Sequence, residues 1–241
     1  MTQASPLRST SPVSYAVRLI DIVKSYTAGD QPIHAIDHLS LDIPQGQFTA
    51  VVGRSGSGKS TLLNLLAGID TPSSGQVFIG ETDLSRLDDD VLTRLRRDEI
   101  GMIYQFFNLL STLTVRENVM LPALLGGRPE LEAAPRADML IEEVGMKQRQ
   151  DARPHTLSGG EMQRTAIARA LMQSPPLILA DEPTGNLDSR TADQVLGLLR
   201  NMAENHGSTV ILVTHSREAA ATADRVIELL DGRVVSDELS G

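Results

Sequence analysis

The sequence predicts an α/β fold: a parallel-sheet core, an antiparallel β region in front of it, and a helical section inserted from about 106 to about 157. Three observations predict it. The apolar, β-branched run Phe48-Thr49-Ala50-Val51-Val52 leads through a glycine-rich turn into the helical run Thr61 to Gly68. Ile100 to Tyr104, Leu177 to Ala180 and Thr209 to Val213 read as further buried strands, the last two separated by a helical stretch. Between Phe106 and Leu157 that βα alternation stops and helix starts take over.

The elements follow in order. Residues 1–14 are rich in Ser, Thr and Pro, lack an apolar signal-peptide core, and are expected to be a disordered tail, with one domain spanning 15–241. Val17, Leu19 and Ile22-Val23, then Ile33 to Ile36, then Leu39 to Ile43 read as short strands, with Thr27-Ala28-Gly29-Asp30 as a turn. Gln76 to Ile79 is a strand entered through Thr71-Pro72-Ser73-Ser74-Gly75. Asp83 to Arg97 alternates acidic and basic residues around four leucines, a solvated helix whose charges need no partner. Thr114-Val115-Arg116-Glu117 is a capping-box helix start, and Pro135 to Val144 an amphipathic helix ended by Gly145. Ser158-Gly159-Gly160-Glu161 is a second capping box, opening a helix through Leu171. Ser189 to Asn205 and Arg217 to Ala223 are helices, and Arg225 to Leu230 turns at Asp231-Gly232 into Arg233 to Val235 as a hairpin.

Composition removes several function classes. The net charge of -9 argues against a nucleic-acid surface. With no cysteine, disulfides, thiolate metal sites and thiol catalysis are excluded. No apolar run approaches the ~18 residues that span a bilayer, so a membrane role requires another chain.

Gly53-Arg54-Ser55-Gly56-Ser57-Gly58-Lys59-Ser60-Thr61 fits G-x-x-x-x-G-K-[ST] between a strand and a helix. Such a turn closes backbone N–H groups around phosphate oxygens, and the helix end adds partial positive charge. Lys59 supplies a full charge to the β- and γ-phosphates, and Ser60 offers a hydroxyl to Mg²⁺. Leu177 to Ala180 ends in Asp181 and Glu182. Asp181 at the strand tip is placed to hold Mg²⁺ through its waters, and Glu182 to polarise an attacking water. Gln105 follows the strand ending at Tyr104, where an amide can reach metal and water; a surface glutamine fits the spacing equally well. His215 follows its strand as Asp181 does, which brings it near the γ-phosphate; the plainer alternative is a residue at the start of the helix that Ser216 opens. Ser158-Gly159-Gly160 is either a well-capped helix or a second anion-ready helix end. One chain already has a phosphate loop, so a second cradle points to a nucleotide held by another copy.

These ordered motifs resemble the ATP-binding subunits of ABC transporters, from about Val17 to about Val235. Gly53 to Thr61 is similar to Walker A, and Gln105 to the Q-loop glutamine. Leu157-Ser158-Gly159-Gly160-Glu161 is similar to the LSGGE-type signature, and Leu177 to Glu182 to Walker B with its catalytic glutamate. Leu187-Asp188 resembles the D-loop and His215 the switch histidine. The resemblance implies the ABC ATPase fold: a P-loop NTPase with a RecA-like core, an antiparallel β subdomain and an inserted α-helical subdomain. It implies ATP and Mg²⁺ as ligands, with Ser60, Gln105 and Asp181 at the metal. It also implies adenine stacking on Tyr26 and catalysis by Glu182, His215 and Gln105. Its head-to-tail homodimer holds ATP between one copy's Walker A and Ser158, Gly159, Gly160 and Glu161 of the other.

A narrower resemblance joins Gln105-Phe106-Phe107-Asn108-Leu109-Leu110, Thr114 to Val119, Leu121-Pro122 and Gly185-Asn186-Leu187-Asp188 to the lipoprotein-release and macrolide-export branch (LolD-like, MacB-like). It implies an integral-membrane permease with an extracytoplasmic domain, worked as a mechanical lever from the cytoplasmic face of the cell (inner) membrane; macrolide exporters fuse the two, and the stop after the hairpin leads us to expect a separate permease subunit here. A periplasmic or extracellular adaptor is left open as a further partner. Phe106 to Leu110 either packs within the insertion or meets the permease. The same motifs fit an FtsE-like regulator of cell-wall hydrolysis. A soluble ABC ATPase acting on DNA or ribosomes fits less well: the stretch from Thr61 to Leu157 is short, without heptads or cysteines, and there is one such domain.

Overall fold

The computed structural model describes residues 14–28 and 31–240. Apart from Ser14, the expected tail lies outside the described residues, as do Gly29 and Asp30 of the expected turn. The architecture is α/β, with two sheets among the described residues. Strands β1 (Tyr15–Ala28), β2 (Gln31–Pro44), β4 (Ser74–Ile79) and β5 (Thr82–Asp83) form an antiparallel sheet in the order β2-β1-β4-β5. The second sheet contains β3 (Phe48–Val52), β6 (Ile100–Tyr104), β7 (Leu177–Asp181), β8 (Thr209–Val213), β9 (Arg225–Leu230) and β10 (Arg233–Leu239). Its order is β10-β9-β3-β8-β7-β6, parallel except for the terminal hairpin.

The short central strands are buried on both faces, which is why they read as unbroken apolar runs. In β8, Val210 and Leu212 enter one core while Ile211 and Val213 enter the other. The second of these cores packs α1 (Lys59–Leu66) and the antiparallel sheet against the parallel one, through Leu62, Leu65 and Leu66 on one side and Val17, Leu19 and Val77 on the other. The first core packs α5 (Gly159–Ala170) and α6 (Ser189–His206) on the opposite face and continues into α3 (Val115–Leu125) and α4 (Glu130–Glu143). Truncating such a buried leucine to alanine costs about 2–5 kcal/mol. α5 touches α3, α4 and β6 alike, so the helical layer extends past residue 157.

The three short strands expected in 17–43 are two long ones. Asp21 and His38 adopt left-handed conformations (φ 46° and 52°) at bulges in β1 and β2, and their side chains meet at 2.8 Å. The bulges shift the apolar register without ending the pairing, and this looked like strand breaks in sequence. The expected helix 83–97 divides. Asp83 accepts from Ser85 N and Asp88 from Val91 N, so two successive caps leave a short 3₁₀ turn at Leu84–Arg86 before α2 (Asp89–Asp98). α4 begins at Glu130 rather than Pro135. The carbonyl that Pro135 cannot serve belongs to Leu131, which is exposed to water. α7 (Arg217–Ala220) is shorter than expected, and β10 runs on to Leu239. Both capping boxes are formed as expected. Asp231 and Gly232, both at positive φ, make the two-residue hairpin turn.

Register positions the site. Asp181 lies opposite both Tyr104 and Val213, and Val213 opposite Val51. The residues that follow these strands, Gln105, Glu182, Thr214 and Gly53, therefore emerge at one edge of the sheet. No described helix is long and apolar enough to cross a membrane.

Candidate nucleotide site

A cavity of about 630 Å³ opens at that edge. It gathers Ser55, Gly56, Gly58, Lys59, Ser60 and Thr61 of the glycine-rich turn with Asp181, Glu182 and His215. Ala35 of β2 also lines it, and no sequence signal marked that residue.

The turn is shaped by glycine at its end. Gly58 sits at φ 101°, and a Cβ there would stand 2.3 Å from the Ala35 carbonyl oxygen. Gly58 is the N-cap of α1 and offers no side chain to it, so the first amides of that helix keep no side-chain acceptor. An uncapped N-terminus carries partial positive charge and free donors, as anion binding needs. α5, by contrast, is capped: Ser158 Oγ accepts from Glu161 N at 3.3 Å, and Glu161 Oε2 accepts from Ser158 N at 2.8 Å. Lys59 Nζ donates to the carbonyls of Gly53 (2.8 Å) and Arg54 (2.9 Å), which hold it folded over the turn. Ser57 Oγ is buried without a partner among the described residues.

Glu182 has φ 46°, and its amide donates to Val213 O. The carboxylate accepts from His215 Nδ1 at 2.7 Å and from Thr214 Oγ1 at 3.2 Å. Thr214 was missed in sequence, although it lies beside His215 at the end of a buried strand. Burial holds the Asp181 carboxyl above the usual range; the Glu182 charge adds to this, and Lys59 opposes it. A cation beside Asp181 would favour its ionised form. Ser60 and Asp181 present oxygen donors to the same cavity, and a hydroxyl, a carboxylate and substrate phosphates suit Mg²⁺. No group of three or more His, Asp or Glu side chains is placed to hold a metal ion among the described residues.

Other predicted residues stand apart from the cavity lining. Gln105 lies against Gly185, whose added Cβ would be 2.9 Å from Gln105 Nε2. The Tyr26 hydroxyl donates to Asp70 Oδ2 (2.8 Å), and Lys24 Nζ lies 5.0 Å from the ring centre. Partial burial, then Asp70, raises the pKa of the Tyr26 hydroxyl, while the nearby Thr61 hydroxyl lowers it. Ser158, Gly159, Gly160 and Glu161 do not line this cavity. Gly160 is buried where a Cβ would meet Thr191 Cγ2 at 2.5 Å, so close packing on α6 is one reason for glycine there. Ser158 stays exposed, and Glu161 also faces Arg149 at 3.3 Å.

Of the stretch after Gln105, Phe106 is 72% exposed, so it does not pack within the insertion. Phe107 and Asn108 are left-handed (φ 61° and 50°), and the Arg169 guanidinium of α5 donates to both their carbonyls. Buried Asn118 donates to Leu110 O, Leu113 O and Thr114 O and accepts from Leu110 N, pinning the far end of the loop. A groove of about 370 Å³ runs beside it, lined by Arg96, Arg97, Tyr104, Asn108, Leu125 and Arg169 among others.

A phosphate loop at the end of a parallel strand, facing a strand-tip Asp-Glu pair and a histidine, defines a nucleoside triphosphatase of the P-loop class. The model of the family described as ABC transporter matches residues 36–185. The macrolide export ATP-binding/permease protein MacB of Brucella melitensis is 47% identical over 221 residues, covering 92% of this chain and 34% of that protein. An uncharacterized ABC transporter ATP-binding protein of Mycobacterium tuberculosis is 46% identical over 219 residues, covering 91% of this chain and 88% of that protein. The solved dimer of the ATP-binding cassette MJ0796 from Methanocaldococcus jannaschii, in a post-hydrolysis state with ADP and Pi, superposes with a TM-score of 0.85 at 41% identity, covering 93% of this chain and 99% of that one. The chain belongs to the ABC transporter family and is an ATP-binding cassette ATPase. It spans about a third of the length of the macrolide-export relative.

Proposed function

We propose that this chain is the ATP-hydrolysing engine of an export or lipoprotein-release transporter, and that two copies close head to tail around ATP. The observation that carries the reading is the division of the site. Phosphate loop, Asp181, Glu182 and His215 share one cavity, while the exposed Ser158 end of α5 lies outside it. The cap of α5 takes up the amides of Ser158 and Glu161 and leaves those of Gly159 and Gly160 to the nucleotide of a second copy, and the dimeric MJ0796 cassette supports a dimer.

In this reading the amides of Gly56 to Thr61 and the Lys59 ammonium bind the β- and γ-phosphates. Lys59 exchanges its two carbonyl partners for phosphate oxygens. Ser60 and Asp181 of the cavity lining would hold Mg²⁺, with Gln105 reaching it from beside the cavity, and the ion would offset charge on those oxygens. Glu182 accepts the proton of the attacking water, and His215 and Thr214 hold its carboxylate in place. Tyr26, next to Thr61, offers its ring to the base. Closure, hydrolysis and release then alternate two dimer states.

The energy is passed to an integral-membrane permease, which the export relative carries in its own chain by name. The groove lined by Leu125 is the docking surface we assign to the permease's cytoplasmic segment, because Leu125 is exposed there and Phe106, also exposed, belongs to the loop that supplies Asn108 to its lining. An extracytoplasmic domain on that permease, work at the cytoplasmic face of the membrane, and lever-like action belong to the same proposal. Sedimentation of Glu182→Gln with Mg²⁺ and ATP tests the assembly. A dimer that forms with ATP and dissociates with ADP supports it; a monomer at saturating ATP rejects it.

A further inference from the structure

We infer that Asn186 is a positioning residue for Gln105: it ties the backbone of the Q-loop to the segment that carries Glu182. The inference rests on the role proposed for Gln105. Asn186 Nδ2 donates to Gln105 O at 2.9 Å. That acceptor fixes which end of the amide faces it, since only the NH₂ group can donate. On the same segment, Gly185 receives the Gln105 side chain: an added Cβ would lie 2.9 Å from Nε2, 3.3 Å from Cδ and 3.4 Å from Cγ. Residues 185 and 186 therefore grip both the backbone and the side chain of one glutamine.

The gripping segment is itself rigid. Gly185 N donates to Glu182 O and Leu187 N to Thr184 O, forming two successive turns. Asp188 then caps α6 through Thr191, on both its amide and its hydroxyl. The Q-loop makes one such turn of its own around Gln105, where Phe107 N donates to Tyr104 O. It leaves β6 at Tyr104 and turns left-handed at Phe107 and Asn108, where Arg169 holds the carbonyls. Gln105 lies between these two anchors. Asn186 is exposed, and an exposed hydrogen bond adds little to stability. Its effect is on where the Gln105 amide points relative to Asp181 and Glu182. A movement of residues 182–188 would carry Gln105 with it.

The test is ATP turnover by the full chain as a function of Mg²⁺ concentration, for Asn186→Asp, Asn186→Ala, Gln105→Ala and the Asn186→Asp/Gln105→Ala double variant. Aspartate keeps the shape of asparagine but cannot donate to a carbonyl. The expected result for both single Asn186 variants is kcat lowered about tenfold, with KM for ATP within about twofold and half-maximal Mg²⁺ shifted upward. In the double variant the Asn186 change should add nothing to Gln105→Ala, because the side chain it aims is gone. Wild-type turnover in both single Asn186 variants beside an impaired Gln105→Ala overturns the inference. So does an equal loss in both backgrounds, which would mark a purely structural role. If Gln105→Ala itself keeps normal kcat and Mg²⁺ dependence, the role of Gln105 fails first and the inference with it.

Discussion

Replacing Glu182 with glutamine separates its chemistry from its structural contacts. The carboxylate, 17% exposed, accepts from His215 Nδ1 at 2.7 Å and from Thr214 Oγ1 at 3.2 Å. Glutamine has the same shape and one carbonyl oxygen, so it keeps one acceptor and forfeits one charge-assisted bond, a loss of about 1.5–3 kcal/mol if nothing compensates. Compensation is present: the Glu182 charge is one of the causes that push the Asp181 carboxyl up, and the substitution removes that repulsion. The net change in stability is therefore expected near zero, within about 1 kcal/mol, or about 2–4 °C in Tm for a domain of this size. Turnover has no such compensation. Loss of a positioned general base lowers kcat about 10²–10⁴-fold, or about 3–5 kcal/mol of barrier. ATP contacts from the phosphate loop are untouched, so Kd should stay within about twofold. Phosphate release, nucleotide titration and thermal melting measure the three quantities independently. Residual turnover above about a tenth of wild type, with normal melting, removes Glu182 from the base role.

Lys59→Ala should weaken ATP binding at least about tenfold, because the ammonium–phosphate contact is lost; unchanged affinity in nucleotide titration counts against the phosphate loop. Ser158→Arg places a bulky cation on the exposed end of α5, so ATP-dependent dimerisation by sedimentation should be lost while monomer binding stays normal; a dimer with ATP disproves the trans site. Asp181→Asn should melt higher than wild type at neutral pH by about 2–4 °C while losing turnover. The sign follows from the raised folded pKa of Asp181: its stabilising share is present at low pH and is lost as pH rises through that pKa. The advantage of asparagine should therefore vanish as pH falls toward about 4, and melting curves across pH check it.

Much of the fold and half of the site were legible in the chain because they depend on local rules. Buried parallel strands betray themselves as apolar runs, and Phe48–Val52, Leu177–Asp181 and Thr209–Val213 stand within a residue of their expected positions. Capping boxes are local, and those at Thr114 and Ser158 form as the residue pattern indicates. The glycine-rich turn and the carboxylates at Asp181 and Glu182, which line one cavity, were legible because each follows a local pattern of residue type and spacing. The bulges at Asp21 and His38 were not legible, since Asp and His, though among the non-glycine residues that most often turn left-handed, read equally well as polar positions of a regular strand. Nor was the early start of α4, because exposure of Leu131 decides whether Pro135 is tolerated.

By itself, then, the sequence determined the strand–turn–helix at Gly53 to Thr61, the strand-tip carboxylates and the two capped helix starts, each set by neighbours a few residues apart. Only the tertiary structure decided which of these meet. Strand register brings Asp181, Glu182 and His215 to one cavity and leaves Ser158 outside it. Packing gives Gly160 to Thr191 and Gly185 to Gln105, and it brings Asn186 and Arg169 onto the Q-loop from elements more than sixty residues away. Such contacts depend on how whole elements pack, and no local pattern in the chain encodes them.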